Sequence, residues 1–345
     1  MEMDLNKRAD SNVTVLKKGD LVLVTGATGF IGRRLVRLLN DFGYQVRALS
    51  RQSYSTDSSS AVEKENWIVG DICNSVVVRT ACNGVAAVFH LAGLAYEASL
   101  DDDQIRNTNA VGTAVLKAAA IEAGVSQLIF FSSVLAGEPE VSVYAKSKRE
   151  AEAILLGGVD PVIDGAPRIT ILRPANVYGA GMKGNIAGLI KLIESRRLPP
   201  LPSLQNRLAL ISVQDVNAAA VLAAVCRQKS GKVYTLTDGE TYSPGRIETA
   251  IYAALGRKKS RYRTPRVIFF FAALCAELLG FLGIWKNDLG LRSYANLVLD
   301  KPRSSEKISR ELGFEPSATF ESTLPQIIEQ SRSKDRINEI DFRPL

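Results

Sequence analysis

Leu21-Val22-Leu23-Val24-Thr25-Gly26-Ala27-Thr28-Gly29-Phe30-Ile31-Gly32 is the stretch whose reading decides the fold. Its first four residues form an unbroken apolar run, which suits a strand buried on both faces of a parallel sheet. Glycines follow at 26, 29 and 32, and then an amphipathic run from Arg33 to Asn40. Strand, glycine turn and helix in that order form a dinucleotide-binding turn. Gly26 makes the tight turn, Gly29 lets backbone approach a pyrophosphate, and Gly32 lets the helix close on the strand. The helix start adds backbone N–H groups and a positive dipole end. Thr28, Phe30 and Ile31 complete the turn and are taken with the glycines as cofactor-binding.

Outward from this turn, Gln45-Val46-Arg47-Ala48-Leu49-Ser50-Arg51 reads as the second strand. An acidic residue at its end would hold a ribose 2′-hydroxyl, whereas an Arg suits a 2′-phosphate. Ser50 and Arg51 occupy that corner, which favours NADP(H), with NAD(H) as the alternative. Gln52 to Asn66, rich in Ser and charge, reads as a loop. Trp67 to Ile72 reads as a strand ending at Asp71, and Ala86 to Gly93 as another ending in small residues. Ligands of open parallel sheets bind outside the carboxyl ends of the strands. Asp71 and Ala92-Gly93 therefore fall on the cofactor side. His90 lies inside an apolar strand and reads as a hydrogen-bonded core residue rather than a catalytic base.

Gln104 to Gly124 reads as one helix, with Asn109 near its start and Gly124 as its stop. Gln127 to Phe131 then forms a strand that runs into two hydroxyls, Ser132 and Ser133. The helical segment after it carries Tyr144-Ala145-Lys146-Ser147-Lys148. Residues four apart share a helix face, so the Tyr144 phenol and the Lys148 ammonium can serve one pocket. A phenol titrates near pH 10, and a fixed cation beside it would bring it towards a working acid/base range.

The chain has 345 residues, enough for one large domain with an appended lobe or for two domains. Its net charge of +7 is compatible with an anionic substrate and equally with a solvated basic face. The one dense group is Arg257-Lys258-Lys259 with Arg261, Arg263 and Arg266, and no nucleic-acid motif accompanies it. Cys73, Cys82, Cys226 and Cys275 form no CxxC pair, and the single His cannot complete a zinc set with them. They read as reduced core thiols of a cytoplasmic protein. Residues 1–20 are polar, lack an apolar signal core, and read as a flexible lead-in. Val267 to Trp285, with Phe269-Phe270-Phe271, is the most apolar segment. Glu277 near its middle argues for a buried helix rather than a span, and an apolar helix resting on a membrane surface stays open.

In this order, TGATGFIG at 25–32, Asp71, HLAG at 90–93, NAVGT at 109–113, FFSS at 130–133 and YAKSK at 144–148 resemble the extended short-chain dehydrogenases/reductases of the NAD-dependent epimerase/dehydratase type. The resemblance runs from about Leu21 to Gln330. It implies an α/β, Rossmann-like, doubly wound parallel sheet with a smaller, mostly helical C-terminal substrate lobe. The expected division is 21–178 with about 205–240 for the dinucleotide domain, 179–204 with 241–330 for the lobe, and 331–345 as a polar tail. The resemblance makes Tyr144 the general acid/base, Lys148 the ligand of the nicotinamide ribose, and Ser133 the group that orients the reacting oxygen. Asp71 would meet the adenine. Ile72, Leu91, Ala92, Gly93, Asn109 and Pro174 would line the cofactor path. The helices holding Asn109 and Tyr144 would form the interface of a homodimer.

Further similarities concern the substrate. Leu172-Arg173-Pro174 with Tyr178-Gly179 resembles a segment of nucleotide-sugar enzymes in which Asn176 and Asn185 would contact a nucleotide diphosphate. Asn206-Arg207 resembles a substrate segment with its Arg one position early. Arg292, eight residues before Asp300, resembles an Arg that clamps a UDP pyrophosphate, a task that suits a guanidinium. A 4,6-dehydratase carries an Asp-Glu pair after the hydroxyl residue; Val134-Leu135 stand there instead. The implied reaction is hydride transfer at C4 of a UDP-hexose or UDP-hexosamine, with 4-keto reduction preferred over 4-epimerisation. A polyprenyl-diphosphate-linked sugar, a hydrophobic ketone of steroid or flavonoid type, and a noncatalytic nucleotide sensor are the other classes.

Overall fold

Val22, Leu23 and Val24 are wholly buried, as an apolar run between two helical layers demands. They belong to β1 (Leu21–Thr25) of a computed structural model. It describes residues 16–52, 62–95, 101–157, 166–196, 202, 206–226, 229–260, 262–265 and 303–340, and of 333–340 the backbone only. The other strands are β2 (Gln45–Ser50), β3 (Trp67–Val69), β4 (Ala87–His90), β5 (Gln127–Phe131), β6 (Arg168–Pro174), β7 (Asn176–Tyr178), β8 (Leu210–Ser212) and β9 (Lys232–Leu236).

Seven of them form one parallel sheet in the order β3-β2-β1-β4-β5-β6-β9. The order reverses between β1 and β4, and that reversal opens the crevice at the strands' carboxyl ends where ligands of such sheets sit. Register places Thr25 beside Leu49 on one side and His90 on the other. The sheet is doubly wound and Rossmann-like, as the resemblance implied.

The helix after the glycine turn, α1 (Gly32–Asp41), buries Gly32, Leu35, Val36 and Leu39, the spacing of one helix face. Then come α2 (Ser75–Cys82), capped by the Asn74 side chain, and α3 (Asp102–Arg106), opened by an Asp101–Gln104 capping box. The single helix expected over 104–124 is instead α3, a widened π turn at Asn107–Val111, and α4 (Gly112–Glu122). Gly124 takes φ +66° just beyond it, the left-handed stop the sequence predicted. The expected strand through Ile72 ends at Val69, because the Asp71 carboxylate bends the chain by accepting from the Cys73 N–H at 2.8 Å. α5 (Val143–Leu156) begins at Ser142, whose hydroxyl accepts from the Ala145 N–H.

The chain folds as two compact units. The first comprises 1–175, 213–236 and 305–315 and contains the large sheet. Later in the chain, α6 (Asn185–Glu194) lies in the second unit and α7 (Val213–Val225), almost wholly buried, in the first. Within the first unit β9 is held by Glu311, which accepts from Lys232 and from the Tyr234 hydroxyl.

The second unit comprises 176–212, 237–304 and 316–345. The strand expected near Leu208 does not extend the large sheet: β8 pairs in parallel with β7 in a separate two-stranded sheet. Two further helices, α8 (Pro244–Ala254) and, after α9 (Glu306–Leu312) of the first unit, α10 (Phe320–Ile340), belong to this second unit. Buried Asp238 accepts from the hydroxyls of Tyr178 (3.1 Å) and Tyr242 (2.7 Å), and both rings stand edge-on to Phe320. Burial raises the Asp238 carboxyl above its ordinary range.

Much of the basic cluster is spent inside this unit. Arg257 donates to the Ile193 and Glu194 carbonyls at the end of α6, while Lys259 and Arg263 pair with buried Glu248 at 2.6 and 2.8 Å. These three cations therefore hold the unit together and are not a free surface for anions.

Among the thiols, Cys82 is buried but Cys73 is exposed, which corrects the reading of it as a core thiol. The segment 267–285, Arg292 and Cys275 lie outside the described residues. Among the described residues no helix is long and apolar enough to cross a membrane, and no three metal-ligating side chains cluster.

Candidate active site

The turn after β1 is a cradle cut to backbone dimensions. Gly26 takes φ +71°, and a Cβ there would stand 2.8 Å from the Ala92 nitrogen. A Cβ on Gly32 would stand 2.2 Å from the Gly26 carbonyl oxygen. No side chain fits at either position, so β1, α1 and the exit of β4 meet at the closest approach a backbone allows. A Cβ on Gly29 would meet only the Gly26 oxygen, and Thr28 and Gly29 are exposed, so the outer face of the turn is free. A turn that is closed underneath and open above, at the start of a helix, fits the phosphates of a dinucleotide. Phe30 and Ile31 are half-buried on its flank. Arg34 reaches back across it, donating to the Phe30 carbonyl at 2.8 Å and covering the Phe30 ring. Sequence reasoning alone misses Arg34, whose one signal is a cation on the first turn of the helix.

At the exit of β2, Ser50 is buried and its hydroxyl accepts from the Gln52 N–H, while Arg51 is exposed. Asp71 is exposed beyond β3, and Ile72 is buried so tightly that a Cβ on Gly112 would stand 2.6 Å from it. Leu91, Ala92 and Gly93 follow β4. A Cβ on Gly93 would meet Asn109 Oδ1 at 3.0 Å and Lys148 Nζ at 3.2 Å, so this glycine lies directly beneath both.

Asn109 is nearly wholly buried in the π turn and clamps that loop. Its Oδ1 accepts from the Leu94 N–H at 2.7 Å, and its Nδ2 donates to the Leu94 carbonyl and the Ser147 hydroxyl, both at 2.9 Å. Such widened turns concentrate at functional sites. Ser147, which no local signal marks, in turn donates to the Tyr144 carbonyl.

Tyr144 and Lys148 lie one turn apart on α5, and Ser133 stands two residues past β5 in extended backbone. The Ser133 hydroxyl accepts from the Leu135 N–H at 3.2 Å and acts on the half-buried phenol. The phenol is shifted up from its usual value, not down as expected: burial raises it and the Ser133 hydrogen bond only partly opposes that. The buried Lys148 is aimed elsewhere. Its ammonium donates to the Phe131 carbonyl at 2.8 Å and lies over the Phe130 ring. Burial pushes that ammonium down to about 8, with Glu152 pulling it back up.

Glu152, one turn further along α5 and also without a local signal, accepts from Ser132 Oγ at 2.6 Å and from Arg173 of β6 through both carboxylate oxygens. Pro174 is buried at the end of β6. Asn176 and Asn185, exposed at the starts of β7 and α6, belong to the second unit.

A doubly wound sheet with a glycine cradle at its first turn and a Ser, Tyr and Lys gathered at its carboxyl edge defines a dinucleotide-binding enzyme class. The chain belongs to the NAD dependent epimerase/dehydratase family, whose model matches residues 22–236, and with it to the extended short-chain dehydrogenases/reductases. It is 29% identical over 329 residues to a UDP-glucose 4-epimerase of Vibrio cholerae, covering 88% of this chain and 93% of that one. It is 32% identical over 247 residues to a ceramide reductase of Caulobacter vibrioides, covering 71% and 74%. The crystal structure of gox2253 matches with a TM-score of 0.73 at 25% identity, over 92% of this chain and 99% of that one.

Proposed function

We propose that the protein is an NAD(P)-dependent oxidoreductase of a nucleotide sugar, acting at C4 of a UDP-hexose or UDP-hexosamine. The observation that carries this reading is the Tyr144 phenol one helical turn from Lys148, with Ser133 two residues past β5, at the sheet edge that also holds the glycine cradle. The similarity to a UDP-glucose 4-epimerase over nearly the whole chain supports the substrate class. The bound dinucleotide would supply hydride exchange at its nicotinamide ring. Tyr144 moves the proton of the reacting hydroxyl, and Ser133 orients that oxygen through its own hydroxyl. Lys148 holds the ribose from the helix face it shares with the phenol. Asn176, Asn185 and Arg292 bind the diphosphate in this reading.

A phenol ordinarily titrates at about 10 and burial moves this one further up, so Tyr144, like any phenol, rests protonated at neutral pH, as a donor to a carbonyl must. That suits 4-keto reduction. Ser50 and exposed Arg51 at the exit of β2, with no acidic residue there, favour NADP(H) for it. Val111, Ile121 and Leu156 expose apolar side chains on or beside the helices that carry Asn109 and Tyr144, which supports a homodimer through them.

A second reading, reduction of a hydrophobic ketone, draws on the similarity to a ceramide reductase. Two measurements separate them: identification of the dinucleotide released on denaturation, and calorimetric titration of UDP. UDP binding with NADPH uptake supports the reductase. UDP binding with NAD released on denaturation moves the reading to an epimerase, and no response to UDP moves it to a lipid-linked sugar or a hydrophobic ketone. Tyr144→Phe keeps the fold and dinucleotide affinity and loses at least about a hundredfold in kcat; a fully active variant refutes the assignment.

A further inference from the structure

The chain has one histidine, and it is wholly buried at the end of β4, between the two halves of the site. Its ring joins a line of hydrogen bonds whose direction can be worked out atom by atom. Thr113 Oγ1 stands 2.6 Å from the Asn109 carbonyl oxygen, an acceptor only, so the Thr113 hydroxyl spends its single proton there. Toward His90 Nε2, at 2.9 Å, the same oxygen can then only accept, so Nε2 carries the proton. At the other edge His90 Nδ1 lies 2.8 Å from Thr25 Oγ1, whose oxygen also accepts from the Ala92 N–H at 3.1 Å. A neutral ring with Nε2 protonated takes the Thr25 proton at Nδ1, and every donor in the line is used once. Burial, and next to it the Lys148 charge, push the imidazole down to about 3, so the ring is neutral in this place.

One end of the line is the cradle, and the other is the Asn109 carbonyl. Thr25 is the last residue before Gly26, and Ala92 is the residue whose nitrogen crowds Gly26. Asn109 clamps Leu94 from both sides and reaches Ser147, which donates to the Tyr144 carbonyl. An imidazole presents a donor and an acceptor at opposite edges of a rigid ring. That is what two hydroxyls on opposite sides of β4 require.

We propose that His90 is a positioning residue: a ring held in the Nε2–H form that joins the glycine turn to the Asn109 turn and fixes the Ala92-Gly93-Leu94 backbone beneath Lys148, where the nicotinamide half of the cofactor binds. The ring moves no proton in the reaction. The inference rests on the dinucleotide reading above, and its test has an arm that does not.

Because His90 is the only histidine, nitrogen-15 labelling of histidine gives one pair of ring signals. The expected result is a pyrrole-type Nε2 and a pyridine-type Nδ1, unchanged from about pH 5 to about pH 8. An Nδ1–H ring, or a titration inside that window, overturns the proposal. In the second arm, Thr113→Val removes the acceptor for Nε2–H and raises the NADPH dissociation constant roughly tenfold, the worth of one buried hydrogen bond. Thr113→Ser, which keeps the hydroxyl, restores affinity to within about twofold. A Val variant that loses thermal stability but binds NADPH and NAD like the parent shows a merely structural role and overturns the proposal. If the parent protein binds neither dinucleotide, the proposed function fails, and the ring signals alone then decide the hydrogen-bond line.

Discussion

Lys148→Met makes the protein more stable and less able to bind its cofactor. Lys148 is almost wholly buried, and its ammonium is pushed from 10.5 down to about 8, burial being the main cause. At about 1.4 kcal/mol for each tenfold change in the proton equilibrium, holding the charge inside the fold at neutral pH costs about 3 kcal/mol. The sign follows from proton counting. Between about 8 and 10.5 the unfolded chain keeps a proton that the folded chain has released, so stability rises with pH across that window. Below about 8 the full cost is present. Met fills nearly the same volume without a charge, and the main loss is the hydrogen bond to the Phe131 carbonyl, worth about 1 kcal/mol. The net gain at neutral pH is about 2 kcal/mol. Urea unfolding of parent and variant without dinucleotide, at neutral pH and again near pH 10, reads it directly. The advantage must shrink at the higher pH as the parent sheds its burden. A variant less stable than the parent at neutral pH, or one whose advantage ignores pH, refutes the reasoning. A lysine proposed to bind cofactor and held at a cost in stability fits the usual trade between function and fold.

Gly32→Ala places a Cβ 2.2 Å from the Gly26 oxygen, so the turn must move; dinucleotide affinity falls roughly a hundredfold, about 3 kcal/mol, within the range for overpacking. Retained affinity by fluorescence titration would show that the turn yields freely. Glu152→Gln keeps the side chain's shape but leaves the Arg173 guanidinium without its counter-charge, at a cost of about 3 kcal/mol in unfolding free energy. The same change removes what holds the Lys148 ammonium up, so the alkaline limb of the pH–affinity profile for dinucleotide moves to lower pH. An unmoved limb would mean that Glu152 serves the fold alone.

Much of this protein is legible in the chain because its signals are local. An apolar run followed by glycines at 26, 29 and 32 leaves few folds open, since each glycine answers a close backbone approach that no other residue tolerates. Tyr144 and Lys148 share a helix face by spacing alone. Helix stops such as Gly124 and the reading of His90 as a core residue follow from single residues in their immediate context.

What stays hidden depends on residues far apart in sequence. Glu152 and Arg173 meet only because α5 lies against β6, and Arg173 carries no mark that it will be half-buried against a carboxylate. The π turn at Asn109 answers to Leu94 and Ser147, so the uniform periodicity over 104–124 shows one helix. The phenol shifts opposite to expectation because burial raises it, and helix spacing, which puts Lys148 on the right face, says nothing of that burial or of the ammonium's turn to the Phe131 carbonyl. β8 looks like another strand of the large sheet, because a strand's partner is not written in its own residues. The sequence by itself determined the sheet type, the cradle and the chemical inventory, all properties of neighbours along the chain. Only the tertiary structure decided the charge states, the hydrogen-bond directions and the partner of each buried ion, because these depend on burial and on groups that folding brings from elsewhere.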